Sequence, residues 1–161
     1  MRLPVLDKLE KELLESEKEL KVDIPRALKT AVAMGDLSEN AEYKAAKERQ
    51  MFLESRVSLL QKRISDITSL NINQIPKDRS ALGSSLYLKE LETGDSKTYQ
   101  LVFPEEVSPE EGKISPGSPI GKALLGKRQG EVITISLPEQ TKVYEIVRLV
   151  TIHDNQWKDS A

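Results

Sequence analysis

The chain contains no cysteine, which excludes disulfides, thiolate metal sites and cysteine nucleophiles. It has one histidine, His153, near its C-terminal end. No serine elbow or acid partner accompanies it, so a hydrolytic triad has no support and His153 reads as a surface residue. Aromatic residues make up only 4% of the chain and charged residues 31%. That balance suits a long solvated helical part beside a modest core. No segment approaches the ~20 apolar residues of a membrane helix, and the N-terminus has no long apolar stretch. The expectation is a soluble, cytoplasmic protein without a membrane role. The net charge of −2 does not by itself predict nucleic-acid binding.

Glycine and proline are scarce in one half only. Gly35 is the only glycine in the first 82 residues, while seven of the eight glycines and six of the eight prolines lie beyond residue 75. This shift marks a domain boundary near residues 73–81, with Pro76 as punctuation. With 161 residues, one ordinary domain or two small ones fit. The sequence therefore divides into a hairpin over 1–75, a linker over 76–80, a compact domain over 81–152 and a polar tail over 153–161, with Trp157 as a candidate to dock back.

The N-terminal half follows a heptad-like pattern. Leu6, Leu9, Leu13, Leu20, Ala27 and Ala31 are spaced in threes, fours and sevens, and Ala46, Leu53, Val57, Leu60, Ile64 and Ile67 repeat the pattern. Such spacing keeps an apolar seam on one side of each helix. A short turn at Gly35 joins the two runs, so they pack antiparallel as a rod of ~40 Å. Pro25 should kink or break the first helix near 22–24, where Asp23 is placed to cap a restart.

The C-terminal half alternates as strands do. Residues 85–91 and 97–103 flank a hairpin turn at 93–96, and residues 131–137 and 142–150 form a second pair. Val143, Ile146, Val147 and Leu149 supply the last strand's apolar positions. Between the pairs, Ser118 as N-cap, Pro119 at the first helical position and Gly126 after the end describe a short helix. The fold class is α+β, a helical hairpin followed by a small β-β-α-β-β domain.

The turn holds the most chemistry. The run Gly35-Asp36-Leu37-Ser38-Glu39-Asn40-Ala41-Glu42-Tyr43 places three carboxylates at the far end of the rod. Two readings fit Asp36 and Glu39. They form a capping box at the start of the second helix, or they form part of a site for a hard cation such as Mg²⁺. Two carboxylates on an exposed tip do not complete a cage, so such an ion would be shared with another molecule. Beyond the turn, Lys44, Lys47, Arg49, Arg56, Lys62 and Arg63 form a basic stretch, and the three arginines recur every seven residues. The stripe is either a solvated face with charge pairs or a path for a phosphate backbone. The acidic first arm, with Glu10, Glu12, Glu15, Glu17 and Glu19, hides it in the net charge. The run from Gly121 to Arg128 approaches a phosphate-binding loop, but Arg128 replaces the required serine or threonine and the context is helical.

The tip run, continuing through Ala45-Ala46-Lys47-Glu48 and Phe52, Glu54 and Arg56, resembles the signature of the bacterial Gre transcript-cleavage factors, GreA and GreB. The likeness returns at Ile114-Ser115, from Ser118 to Lys127, and at Tyr144-Glu145-Ile146. It covers nearly the whole chain and implies an N-terminal antiparallel coiled coil with an FKBP-like C-terminal domain. It further implies docking of that domain at the rim of the RNA polymerase secondary channel. The hairpin would then reach the catalytic centre and stimulate cleavage of the nascent RNA near its 3′ end. On this resemblance Asp36 and Glu39 are the acidic pair that holds a Mg²⁺ shared with RNA polymerase, and none is bound stably by the free protein. Asn40, Glu42 and Tyr43 shape the tip and its contacts. Lys44, Lys47, Arg49 and Arg56 guide the RNA. The protein would be a monomer and an accessory factor, not itself an enzyme, and closer to GreA than GreB on its modest basic patch. The competing readings are a channel-binding inhibitor without cleavage activity and a plain coiled-coil scaffold. Prolyl isomerase activity does not follow from the fold.

Overall fold

The computed structural model describes residues 3–35 and 39–154. The chain forms two compact units, Leu6–Leu70 and the segments Met1–Val5 with Asn71–Ala161. Residues 71–75, expected to close the hairpin, thus belong to the second unit. So does the start of the chain: Leu3 and Pro4 line one small hollow with Leu101, Phe103 and Ile152.

The helices are α1 (Pro4–Lys18), a five-residue π-turn (Glu19–Asp23), α2 (Ile24–Ala33) and α3 (Ala41–Thr68). The π-turn lies immediately before Pro25. Proline has no N–H to donate, and in a regular α-helix its ring would strike the carbonyl four residues back. One turn widens instead, so that the Ile24 N–H donates to the Glu19 carbonyl five residues earlier. Asp23 has helical angles (φ −73°, ψ −44°) and no side-chain capping bond. The expected capped restart at Asp23 is therefore replaced by a helix that widens and continues.

The widened turn reorganises the seam. In α3, Ala46, Leu53, Leu60 and Ile67 are buried at strict seven-residue spacing. In the first arm the buried positions are Leu6, Leu9, Ser16, Ile24 and Ala31. The step from Ser16 to Ile24 is eight residues, because the π-turn contributes one extra. Ala27, expected in the seam, is consequently exposed, and Leu28 beside it is half-buried.

The second unit is a five-stranded sheet of β1 (Ser85–Glu90), β2 (Ser96–Leu101), β3 (Lys113–Ile114), β4 (Val132–Ser136) and β5 (Thr141–Val150), in the order β3-β2-β1-β5-β4. All neighbours are antiparallel except β2 and β3. Helix α4 (Pro119–Leu124) begins at Ser118, whose Oγ accepts from the Gly121 N–H at 3.0 Å. Leu86, Leu88, Leu101, Leu124, Ile135 and Ile146 anchor the core. The register between β1 and β5 shifts by one between Tyr87 and Leu88, which pair with Arg148 and Ile146. Val147 is the extra residue of this bulge. Before the bulge Tyr144 and Ile146 face the core, so Val143 and Val147, read from sequence among the strand's apolar positions, alternate outward and are exposed, and past it Leu149 turns back toward the core.

Ser80 ties the connecting segment to the end of α4. Its Oγ donates to the Leu124 carbonyl and accepts from the Lys127 N–H. Its backbone exchanges two further bonds with Lys127 and Gly126. His153, expected on the surface, is half-buried with Nε2 bonded to the Ile75 carbonyl at 2.7 Å. The Asp154 carboxylate accepts from the Thr151 N–H and hydroxyl, which holds its pKa below the usual range. Residues 153 and 154, assigned from sequence to the polar tail, are thus bonded to the sheet unit. Trp157 lies outside the described residues.

Candidate functional site at the hairpin tip

The α2 helix ends as Met34 and Gly35 donate to the Ala31 and Val32 carbonyls at 3.1 and 3.4 Å. Gly35 has φ +125°, a conformation that side chains with a Cβ rarely adopt. This supports the hinge read from the sequence. Asp36, Leu37 and Ser38 lie outside the described residues. Glu39 is exposed, and the second helix begins only after it.

The cap of α3 is Asn40, whose Oδ1 accepts from the Tyr43 N–H at 3.0 Å. Its carbonyl accepts the first helical bond from Lys44 at 3.1 Å. Glu39 therefore precedes the helix and cannot be the third residue of a capping box starting at Asp36. The capping reading fails because the asparagine next to the helix takes that role. Among the described residues no group of three or more His, Cys, Asp or Glu side chains gathers as a metal cage. Glu39 supplies an exposed carboxylate, a donor that suits a hard cation but leaves most ligands to come from elsewhere. The donor chemistry thus fits a shared Mg²⁺.

Tyr43 is half-buried, and the Lys47 ammonium lies 5.9 Å from its ring centre while donating to Gln50 Oε1 at 3.3 Å. Lys44 is exposed. Glu42 rims a hollow of about 560 Å³ between the arms, floored by Ala27, Ala31, Ala45 and Ala46. Small side chains at this crossing leave space that leucines fill elsewhere.

The arginine stripe is engaged across the hairpin. Arg49 Nε and Nη2 donate to Glu19 Oε1 and Oε2 at 3.0 and 2.9 Å, and its guanidinium stacks on Phe52 at 5.2 Å. The hydrogen bond to Glu19 raises the Arg49 pKa. Arg56 Nε donates to Glu12 Oε1 at 2.6 Å, and this bond holds the Glu12 carboxyl below its ordinary range. Of the four cations assigned to RNA, two are thus ion-paired to the opposite arm. The sequence carried the signal for these partners: Glu12 and Glu19 are seven apart, as are Arg49 and Arg56, the pattern of flanking charges in a coiled coil.

The near-miss at 121–128 is not a phosphate cradle. The N–H groups of Gly121, Lys122, Leu125, Gly126, Lys127 and Arg128 all donate within the chain.

Residues 5–68 match the family described as "Transcription elongation factor, N-terminal", and residues 75–150 match "Transcription elongation factor, GreA/GreB, C-term". The chain belongs to the GreA/GreB transcription elongation factor family. It is 39% identical to the transcription elongation factor GreA of Thermodesulfovibrio yellowstonii over 146 residues, covering 89% of this chain and 90% of that one. It is 40% identical to GreA of Chloroherpeton thalassium over 143 residues, with the same coverage. Among solved structures it is similar to Thermus aquaticus Gfh1, with 29% identity over 89% of this chain and 92% of that one and a TM-score of 0.42. The two matches place the acidic tip inside the N-terminal GreA/GreB region and the sheet inside the C-terminal one. No helix among the described residues is long and apolar enough to cross a membrane.

Proposed function

We propose that this chain is an accessory factor that stimulates RNA polymerase to cleave nascent RNA in backtracked complexes. The hairpin enters the secondary channel as a monomer in the cytoplasm, and the sheet unit docks at the channel rim. The observation that carries this reading is the exposed Glu39 next to a helix cap, at the end of a two-arm rod whose seam and ion pairs are satisfied within the chain. A rod that closes on itself leaves its tip as the part available for chemistry.

Asp36 and Glu39 would hold a Mg²⁺ together with the polymerase. When bound, the ion polarises the attacking water and offsets charge on the scissile phosphate. Glu39 contributes negative charge at the end of the hairpin. Lys44 and Lys47 draw the RNA phosphates toward the tip by long-range attraction. Arg49 and Arg56 hold the arms together and so keep the tip aimed, with Glu42 and Tyr43 shaping its contacts. The remaining groups of the reaction belong to the polymerase, so the chain assists an activity and does not own one.

The test is a stalled, backtracked elongation complex with labelled RNA, assayed with and without the protein across a Mg²⁺ titration. Asp36→Ala and Glu39→Ala should each abolish stimulated cleavage while polymerase affinity stays within about twofold. Equal cleavage by variant and parent overturns the metal assignment. Failure to capture polymerase core overturns the reading altogether and leaves a coiled-coil scaffold.

A further inference from the structure

Asn40 is 9% exposed, among the few buried polar side chains of the hairpin. Its amide spans the neck of the tip loop. On one side Oδ1 accepts from the Tyr43 N–H of α3 at 3.0 Å. On the other, Nδ2 donates to the Ala31 carbonyl of α2 at 2.6 Å. Ala31 lies in the last turn of α2, where its carbonyl accepts from the Met34 N–H and keeps a second lone pair for Asn40, and it is 1% exposed. One side chain therefore caps the start of one helix and the end of the other. The chemistry also fixes the amide's orientation, because oxygen must face the N–H and nitrogen must face the carbonyl.

We infer that Asn40 is a positioning residue that locks the two ends of the tip loop together and so sets where its neighbour Glu39 stands. This rests on the cleavage reading above. Only a side chain with both a donor and an acceptor at this length closes the neck. Aspartate caps a helix as well as asparagine does, but it has no donor. Its second oxygen would face the Ala31 carbonyl at the negative end of α2. Serine caps as well but has no second arm. Both replacements keep the α3 cap and delete the bond across the neck, which separates positioning from folding.

The experiment compares Asn40→Asp, Asn40→Ser and the parent as full-length proteins. In the free protein, the Ala31 carbonyl ¹³C resonance should shift in both variants, with Glu39 amide shifts following, while Tyr43 N–H protection stays at its parental value and the melting temperature falls only by the few degrees that losing one buried hydrogen bond costs. In backtracked complexes both variants should reach half-maximal effect at the parental concentration. Their maximal cleavage rate should fall about 10- to 100-fold, the scale of loss from an ångström-sized misplacement. Their Mg²⁺ requirement should rise. Full cleavage by Asn40→Asp with a shifted Ala31 resonance overturns the positioning role. If the parent itself stimulates no cleavage, the functional reading fails, and the neck is then judged by the free protein alone: unchanged Ala31 and Glu39 resonances overturn it, and shifted ones support it.

Discussion

Arg56 and Glu12 meet across the hairpin at 2.6 Å, Nε to Oε1, forty-four residues apart in sequence. The bond lowers the pKa of Glu12 in the folded state below its ordinary value of 4.5. A depressed carboxyl contributes stability above its unfolded pKa and loses it as pH falls through the folded value. The pair should therefore help at neutral pH and cease to help on acidification below about 4.5. Both side chains are some 40% exposed (39% and 40%), so solvent screening limits the effect to ~0.2–1 kcal/mol. Urea unfolding of the parent and Glu12→Gln should show the parent more stable at pH 7, with the gap closing toward pH 3. Parallel curves across that range rule the linkage out.

The π-turn yields a sharper expectation about the seam. Deleting Val22, exposed within that turn, together with Pro25→Ala, restores seven-residue spacing between Ser16 and Ile24. Helix content should persist and thermal stability should match or exceed the parent. Deleting Lys11 instead should rotate Leu6 and Leu9 by ~100° against the rest of the arm and cost about 2 kcal/mol or more through lost burial. Circular dichroism melts of the two deletions settle the point. Equal losses would mean that the extra residue is not what the turn absorbs.

These cases show what was readable in the sequence. Where one residue type has one local job, the reading held. Ser118, Pro119 and Gly126 bounded α4, and the turn near Gly94 joined β1 to β2. Where a single inserted residue changes phase, periodicity misled. Ala27 was placed in the seam one residue early because the π-turn is invisible to a fixed seven-residue count. In β5, Val143 and Val147 are as apolar as Ile146 yet alternate with the core-facing Tyr144 and Ile146, so apolar character alone does not tell which face turns inward, and only Leu149 changes face because of the bulge. Strand β3 has two residues, too few for any period. The tip motif was legible as a sequence, yet its local roles were not. The helix started at Asn40, not Asp36, because capping depends on which residue lies next to the first helical turn.

Ser80 tests how the connecting segment is fixed. It is 1% exposed, and its hydroxyl serves both the Leu124 carbonyl and the Lys127 N–H. Ser80→Ala leaves both backbone groups without that partner, at a cost of about 1–3 kcal/mol to the sheet unit. Chemical unfolding followed by near-ultraviolet signals from Tyr99 and Tyr144, both in the sheet core, should show the loss. The helical signal of the hairpin should change little. A parental midpoint would mean that water replaces the hydroxyl without penalty.

The cation pairs divide the basic stretch into two populations with different expected behaviour. Arg49 and Arg56 already hold carboxylates of the first arm, so removing them should loosen the hairpin more than it weakens RNA contact. Lys44 and Lys47 are exposed close to the tip. If they contact RNA phosphates, Lys44→Gln with Lys47→Gln should flatten the salt dependence of the half-maximal concentration in the cleavage assay. Two lost contacts to single-stranded RNA correspond to about 1.4 units of the log–log slope. The Arg56→Gln slope should stay parental while its melting temperature drops. The opposite pattern, with lysine variants inert and Arg56→Gln flattening the slope, would mean that the Arg56–Glu12 bridge opens inside the complex and hands its guanidinium to the RNA. The stripe would then be a masked phosphate path.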